Sequence, residues 1–322
     1  MRALAAVLLL VGCGAGDDAI GDAMAIDVMA DAIGDAMADA MPADAMTDAM
    51  SLDAMPTDAM PVDAFACNGA PERCGRRYDE VVYLTTHNAM SSAERRWGAP
   101  NQTYAVPRQL ADGARGLMLD THRGEDGAAL LCHGFCALGS QPLDEGLAEV
   151  GAFLDEHPGA VVTIIFESYL DADATAAAFA AAGLAGRVHR QAVGAPWPTL
   201  GALLAAGTPL VVFTDDRAAP ARHPWLHFVW DHAFETDFSN ETPADLDCAP
   251  NRGDPARPLF ILNHFLTAPI ALPRLAEQVN GDAEAHARAC AAVFGRRPQF
   301  VTVDFYEIGE VAAAVERLNA DR

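Results

Sequence analysis

From residue 81 to the end of the chain, short apolar, β-rich runs alternate with segments of helical pattern. The clearest runs, Val161–Phe166 and Leu210–Phe213, are continuously apolar, as strands covered on both faces by helices are. Eight strands are predicted, over residues 81–86, 116–121, 129–133, 161–167, 209–214, 226–231, 259–264 and 300–305. Helical patterns cover residues 105–112, 143–157, 172–183, 197–206, 272–293 and 309–319. Eight strands with intervening helices over about 250 residues predict an α/β fold, a TIM-like (β/α)8 barrel, regular or distorted.

A doubly wound open sheet shows a similar alternation and is the alternative fold. Dinucleotide-binding sheets of that class carry a Gly-x-Gly-x-x-Gly turn after the first strand, and no such turn follows residues 81–86. We therefore predict one barrel domain over residues 65–322.

The first 16 residues have the pattern of an export signal. Met1-Arg2 is a short positive region, and Ala3 to Leu10 is an apolar region too short to span a bilayer as a helix. The following Leu10-Val11-Gly12-Cys13 resembles the lipobox of bacterial lipoproteins, which implies cleavage before Cys13 and its lipidation. We expect an exported lipoprotein, tethered at the outer membrane or cell surface, with an ordinary secretory signal as the alternative.

Residues 17–64 are a low-complexity tract. They contain twelve Asp and no Lys or Arg, and Asp-Ala-Met occurs seven times at uneven spacing. Uniform negative charge without an apolar stripe predicts a disordered, self-repelling linker between the anchor and the barrel.

The charge of the chain excludes several classes of function. The formal net charge is −24, and all 21 basic residues are Arg. A chain without Lys cannot use a Schiff-base lysine or a Walker-type lysine. An acidic chain without basic clusters also argues against nucleic acid as a partner. Separately, we expect the chain to be a monomer.

The predicted barrel carries six Cys, and an even number in an exported protein indicates disulfides. The local pairs Cys67–Cys74 and Cys132–Cys136 are plausible, which would leave Cys248–Cys290; other connectivities stay open. Zinc is the alternative, but the spacings do not resemble paired ligand knuckles.

Polar residues gather where the predicted strands end. They are His87, Asn88, Asp120, His133, Glu167, Asp215, Asp216, Asp231, His232, Asn263, His264, Asp304 and Tyr306. In a barrel of this kind the C-terminal ends of the strands share one face, which carries the functional residues. Two imidazoles among carboxylates, with no Gly-x-Ser-x-Gly motif, predict acid–base chemistry near a cation.

Seven features carry a family resemblance. They are Thr86-His87-Asn88, Gly113 to Asp120, His133-Gly134, a helix ending at His157-Pro158, Val161 to Glu167, Leu262-Asn263-His264-Phe265, and Val303-Asp304-Phe305-Tyr306. In order and spacing, across roughly residues 78–310, they resemble the X region of phosphatidylinositol-specific phospholipase C. The resemblance implies a phosphoric diester hydrolase that cleaves an inositol phospholipid, or a glycosylated inositol phospholipid, by intramolecular attack.

The resemblance also implies roles for three of these residues. His87 would be the general base that takes a proton from the attacking inositol hydroxyl, and His133 the general acid that protonates the departing oxygen. Asp304 matches the carboxylate that orients the base. An unperturbed imidazole pKa of about 6.5 suits both proton transfers at neutral pH.

A metal site is implied as well. Asn88, Asp120 and Glu167 match the ligands of the calcium-dependent branch, and all three offer the oxygen atoms that Ca²⁺ takes. The resemblance therefore implies Ca²⁺, or another divalent cation, as cofactor. The chain departs from that branch at Met118, where the pattern has a further acidic residue, so we expect a weaker site or one completed by water.

Arg115, Asp215, Asn263 and Tyr306 are weaker candidates for contacts with substrate. Because the chain has no Lys, we expect an unphosphorylated inositol lipid to be preferred over bisphosphorylated ones. The alternative functions are a glycerophosphodiester phosphodiesterase or a sphingomyelinase-D-like hydrolase on the same barrel, or a non-catalytic lipid-anchored binding module, which Met118 would favour.

Overall fold

The computed structural model of the protein describes residues 66–267 and 270–321. Its strands are β1 (Tyr83–Thr86), β2 (Gly116–Arg123), β3 (Ala129–Leu131), β4 (Gln141–Pro142), β5 (Val162–Ser168), β6 (Leu210–Thr214), β7 (Leu226–Phe228), β8 (Ala233–Thr236), β9 (Pro250–Gly253), β10 (Leu259–Asn263) and β11 (Phe300–Val303). Its helices are α1 (Val106–Ala111), α2 (Leu143–Glu156), α3 (Ala172–Ala181), α4 (Leu200–Ala205), α5 (Ala219–Arg222), α6 (Pro273–Val279), α7 (Ala283–Phe294) and α8 (Val311–Ala320). The predicted signal segment with Cys13 and the predicted linker lie outside the described residues. Within the described ranges, no helix has the length and apolar character needed to cross a membrane.

Eight strands run parallel and form the wall of a barrel. In spatial order they are β7, β6, β5, β2, β1, β11, β10 and β8. Strand β9 pairs antiparallel with β8, and the β3–β4 hairpin extends antiparallel from β2. The predicted α/β barrel is confirmed, with one opening, because β7 and β8 do not pair with each other in the described sheet.

The opening lies where one apolar run divides into two strands. A single strand was predicted over residues 226–231, but a turn of 3₁₀-helix at Val229–Asp231 separates β7 from β8. Hydropathy does not mark this turn, because Val229 and Trp230 continue the apolar run of β7. The predicted strand at 129–133 is the short β3, which lies outside the wall, so β8 takes its place among the eight.

Side chains of the wall strands alternate between the barrel interior and the helical layer, as a period of two requires. The interior cluster includes Tyr83, Ile165, Phe213, Leu259, Ile261 and Phe300. The clusters that pack against helices include Leu84, Ile164, Val212, Leu262 and Val301. Continued along each strand, the interior positions become polar at the C-terminal end.

Three disulfides link the described Cys residues, with the predicted pairing of Cys67–Cys74, Cys132–Cys136 and Cys248–Cys290. The last of them joins the segment before β9 to helix α7 and spans a sequence separation of 42 residues.

Removal of the Cys248–Cys290 bridge by a double alanine substitution is expected to lower the free energy of unfolding by about 4 kcal/mol, because a loop of this length gains considerable entropy in the unfolded chain. Denaturant unfolding of the oxidised protein measures the loss. A decrease below about 1 kcal/mol would contradict the assignment of this bridge as a major constraint on the unfolded chain.

Candidate active site

A ring of polar side chains lies at the C-terminal mouth of the barrel. Its members are His87, Asp120, Glu167, Asp215, Glu235, Asn263 and Asp304. Period-two alternation brings them together. Met118 and Ile165 line the interior two residues before Asp120 and Glu167, and Asp120 pairs in register with Glu167. All of them except Asp304 line a cavity of about 400 Å³, which we call the polar cavity.

The imidazole of His87 is held from three sides. Its Nδ1 donates to Oδ1 of Asp304 at 2.9 Å, and its Nε2 accepts the amide N–H of Asn88 at 3.2 Å. The ring of Phe265 stacks on it with centroids 3.9 Å apart. Asn101 donates to the same oxygen of Asp304 at 3.1 Å. The arrangement leaves Nε2 as the proton-accepting atom on the side of the site.

The residues that follow His87 and Asp304 in the chain both have a left-handed backbone conformation. Asn88 and Phe305 both have φ of 45°, which Asn tolerates and Phe rarely adopts. The backbone carbonyl of Asn101 accepts the N–H of Phe305 at 2.9 Å, and the amide of Asn280 donates to the carbonyls of Asp304 and Phe305 at 2.9 and 3.2 Å. These contacts hold the turn that presents Asp304. Neither Asn101 nor Asn280 stands in a pattern that marks it in the sequence.

His133 reaches the site by another route. It lies shortly after β3, in the connection between β3 and β4. The N–H of Cys132, the residue before it, donates to the carbonyl of Asp120 at 3.3 Å. His133 and His87 both border a second cavity of about 310 Å³. Its apolar lining, which we call the apolar groove, consists of Gly98, Ala99, Phe135, Leu138, Phe265, Leu266, Ile270 and Ala271. Three of these are unusually exposed for apolar side chains, namely Phe135 (79%), Leu138 (50%) and Ile270 (49%).

Two carboxylates lie close together between the cavities. Burial, and after it the charge of Glu167, raises the pKa of Asp120 to about 7. The hydroxyl of Tyr169 donates to Glu167, and Asn88 lies at the same end of the cavity. An amide oxygen and two mutually repelling carboxylates form a donor set that suits a hard divalent cation. Met118 lines the cavity below Asp120 and supplies no further charge.

The surroundings shift the two imidazoles in opposite directions. Burial acts to lower the pKa of His87, but Asp304 and the other carboxylates outweigh it and raise that pKa. Desolvation by neighbouring protein groups lowers the pKa of His133, and the charge of His87 lowers it further. These are effects of the protein groups alone; a cation beside Asp120 would offset the carboxylate charge and lower the pKa of His87.

The far side of the polar cavity contains a cation that sequence reasoning missed. Arg252, on β9, pairs with Glu235, and its guanidinium lies 4.8 Å from the ring centroid of Trp230 and 4.6 Å from that of Phe238. Asn263 donates to Glu235 at 3.1 Å. Burial raises the pKa of Glu235, and the pair with Arg252 opposes this effect. The cavity therefore presents a fixed carboxylate–guanidinium–amide network beside aromatic surface.

Two candidates for substrate contact lie elsewhere. The guanidinium of Arg115 donates to the carbonyls of Leu110 and Ala114, both at 2.7 Å, because this residue precedes β2 and therefore lies at the opposite end of the barrel. The hydroxyl of Tyr306 donates to Asp112 at 2.7 Å, since the turn at Phe305 directs the chain away from the cavity. The other two candidates, Asp215 and Asn263, do line the polar cavity.

Comparison with known proteins identifies similar chains. The family model described as PI-PLC X 1 matches residues 73–319. PI-PLC X domain-containing protein 1 of the fungus Arthroderma benhamiae is 32% identical over 278 residues, which cover 79% of this chain and 89% of that protein. Another protein of the same fungus, named an uncharacterized secreted protein, is 30% identical over 283 residues, covering 79% of this chain and 63% of that protein.

Among solved structures, phosphatidylinositol-specific phospholipase C of Listeria monocytogenes matches with a TM-score of 0.54 at 15% identity, covering 76% of this chain and 94% of that one. At this identity the likeness concerns the fold. The two relatives described above are fungal and lend no support to the bacterial lipoprotein interpretation of Cys13.

Proposed function

Because this chain belongs to the phosphatidylinositol-specific phospholipase C X-domain family, we propose that it is a phosphodiesterase that cleaves an inositol phospholipid. The observation that carries the proposal is the placement of His87 and His133 at the junction of the polar cavity and the apolar groove. A phosphodiester at this junction would have its sugar ring on the polar side and its lipid on the apolar side.

In the proposed reaction the inositol 2-hydroxyl attacks phosphorus, and its proton passes to Nε2 of His87. The bond between phosphorus and the glycerol oxygen breaks, and His133 donates a proton to that oxygen. The products are a cyclic inositol phosphate and diacylglycerol. Asp304 supports the first step, since its bond to Nδ1 keeps the proton off Nε2 and stabilises the imidazolium that forms.

Asn88, Asp120 and Glu167 would hold the divalent cation, for which we propose Ca²⁺. Their fit rests on the buried, mutually repelling carboxylates and the adjacent amide oxygen. Bound there, the ion would neutralise charge on the phosphate.

The polar cavity favours an unphosphorylated ring. Among the described residues that line it, Arg252 is the only cation, and Glu235 already pairs with it. The carboxylate of Asp215 adds negative charge, so a further phosphate on the ring would be repelled. Inositol hydroxyls, or a glycosylated inositol, can instead bond to carboxylate and amide groups such as Asn263.

The proposed location has two parts, of which the more general is export from the cell. The secreted relative supports it, as do the three disulfides, which persist in oxidising compartments. Tethering through lipidated Cys13, with residues 17–64 as spacer and a monomeric barrel at the membrane surface, is the finer proposal. Detection of a diacylglyceryl group on Cys13 by mass spectrometry tests it.

Product analysis tests the function. The full chain is incubated with phosphatidylinositol vesicles, with Ca²⁺ or with a chelator, and its products are identified by phosphorus NMR. Cyclic inositol phosphate formed with Ca²⁺ is the expected result. Release of glycerol phosphate from glycerophosphodiesters, or of ceramide phosphate from sphingomyelin, in its place would assign the barrel to the alternative hydrolases. Absence of turnover on every phosphodiester would indicate a binding module.

The substitution Asp304→Asn is expected to lower kcat on phosphatidylinositol about tenfold to a hundredfold, because a neutral amide stabilises the His87 imidazolium less well. Steady-state kinetics measure the change. Asp112→Asn, which removes a carboxylate charge from the partner of Tyr306 outside the site, is the control and should retain kcat within about twofold. Equal losses in the two variants would contradict the orienting role.

A further inference from the structure

The two imidazoles of the site are held in different ways. The ring of His87 has a carboxylate, an amide and an aromatic ring as partners. The side chain of His133 is exposed, and no side-chain hydrogen bond or ring contact holds it within residues 66–267 and 270–321. The position of the His133 imidazole therefore depends on its backbone.

That backbone belongs to a small covalent ring. Cys132 is fully buried and bonded to the carbonyl of Asp120, and its disulfide to Cys136 closes a loop that contains only His133, Gly134 and Phe135. Gly134 has φ of 64°, the left-handed conformation that turns the loop back. One end of the disulfide is thus anchored in the barrel, beside the strand end that carries Asp120.

Few other bonds restrain the loop. Leu138 N–H donates to Phe135, and Gly139 N–H to Cys136, so both bonds are internal to the segment. Among the described residues, the backbone hydrogen bond that joins this side of the segment to the rest of the barrel is the one from Gly98 N–H to the carbonyl of Leu138 at 2.6 Å. Without the disulfide, residues 133–137 would be held only at their two ends.

We propose that Cys132 and Cys136 are positioning residues, whose disulfide fixes His133 for proton delivery to the leaving group. The inference rests on the proposed function, in which His133 protonates a glycerol oxygen. Such an alkoxide is strongly basic and leaves slowly without a proton, so its departure depends on an acid held within hydrogen-bond distance. A weakly basic phenolate departs without that help.

The inference also implies sensitivity to thiols. Cys136 is partly exposed, so an external dithiolate can attack the bridge. Two thiol exchanges then reduce the disulfide to two cysteine thiols while the dithiol is oxidised to its own cyclic disulfide. His133 remains in the chain but loses its fixed position, and lipid cleavage should fall until the bridge is reoxidised.

The test compares leaving groups. The oxidised full chain, His133→Ala and the double variant Cys132→Ala/Cys136→Ala are assayed on phosphatidylinositol and on inositol 4-nitrophenyl phosphate. In the double variant we expect kcat to fall at least about tenfold on the lipid and less than about twofold on the nitrophenyl ester. His133→Ala should show the same selectivity with a larger loss.

The matched control is Cys67→Ala/Cys74→Ala, which opens another short disulfide loop beside the start of β5, where neither Cys lines the polar cavity or the apolar groove. It should keep the ratio of the two activities unchanged. Equal losses on both substrates in the Cys132/Cys136 variant, or no loss on either, would overturn the positioning role. If His133→Ala shows no selectivity for leaving group, the proposed function itself fails.

A second measurement uses the wild-type chain and therefore does not depend on whether the double variant folds. The wild-type chain is treated with graded dithiothreitol, free thiols on Cys136 are quantified by alkylation and mass spectrometry, and the activity ratio is followed. Loss of lipid cleavage in step with alkylation of Cys136, and its return on reoxidation, is expected. Full alkylation of Cys136 with an unchanged ratio would contradict the inference.

Discussion

The substitution His87→Ala is expected to lower kcat on phosphatidylinositol by about a thousandfold or more, within the range found for loss of a general base. The loss follows from the geometry, since Nε2 is the imidazole atom left as acceptor once Nδ1 donates to Asp304. Alanine also removes the ring that stacks on Phe265 at the edge of the apolar groove. Cyclic inositol phosphate production by the purified variant measures the effect.

A second histidine–aspartate pair provides the control for this variant. His223 bonds through Nε2 to Asp173 at 2.8 Å, between helices on the outside of the barrel. His223→Ala should therefore retain kcat within about twofold, because it removes the same chemical pair away from the cavities. Substantial turnover by His87→Ala would overturn the assignment of the base and with it the proposed mechanism.

Removal of the divalent cation is expected to lower turnover about a hundredfold to a thousandfold, because the phosphate charge would then lack its principal neutralising group. Asp120→Asn and Glu167→Gln should reproduce most of this loss in the presence of Ca²⁺. Titration calorimetry of the same variants should show weaker Ca²⁺ binding, which gives a readout independent of activity. The control is Asp216→Asn, because the Asp216 carboxylate accepts a backbone N–H in the turn after β6 and Asp216 does not line the polar cavity.

Met118 allows a test in the opposite direction. Its side chain lines the cavity two residues before Asp120, on the same face of β2. Met118→Glu would place a third carboxylate by the cation, and we expect Ca²⁺ affinity to rise about tenfold because site charge tunes calcium affinity. Tighter Ca²⁺ binding in this variant, with weaker binding in Asp120→Asn, would locate the ion. Unchanged binding in both would place it elsewhere.

Most of the polar ring could be predicted from local pattern. Asp120, Glu167 and Asp304 each follow an apolar run, and parallel strands bring their C-terminal ends to one face. The period-two alternation of each strand then places these three side chains on the interior face of the barrel. The same reasoning did not find strand β8, which carries Glu235, because Val229 and Trp230 in the turn before it continue the apolar run of β7.

Other parts of the site had no sequence signal. Arg252 comes from an antiparallel strand added to the edge of β8, and its three partners, Trp230, Glu235 and Phe238, belong to earlier segments of the chain. Asn280 bonds three carbonyls of the turn at Asp304 from 24 to 28 residues away. A single Asn or Arg has many possible partners, and only the folded chain selects among them.

By itself the sequence determined the barrel class, the family, the order of the family motifs and the polar residues that end most of the wall strands. These are consequences of short-range periodicity and of residue type, both of which can be read along the chain. Only the tertiary structure decided where the wall opens, that Arg115 and Tyr306 lie away from the cavity, and that a disulfide loop brings His133 to His87. Those outcomes depend on contacts between distant segments, where chain closure, side-chain packing and the satisfaction of buried polar groups act together.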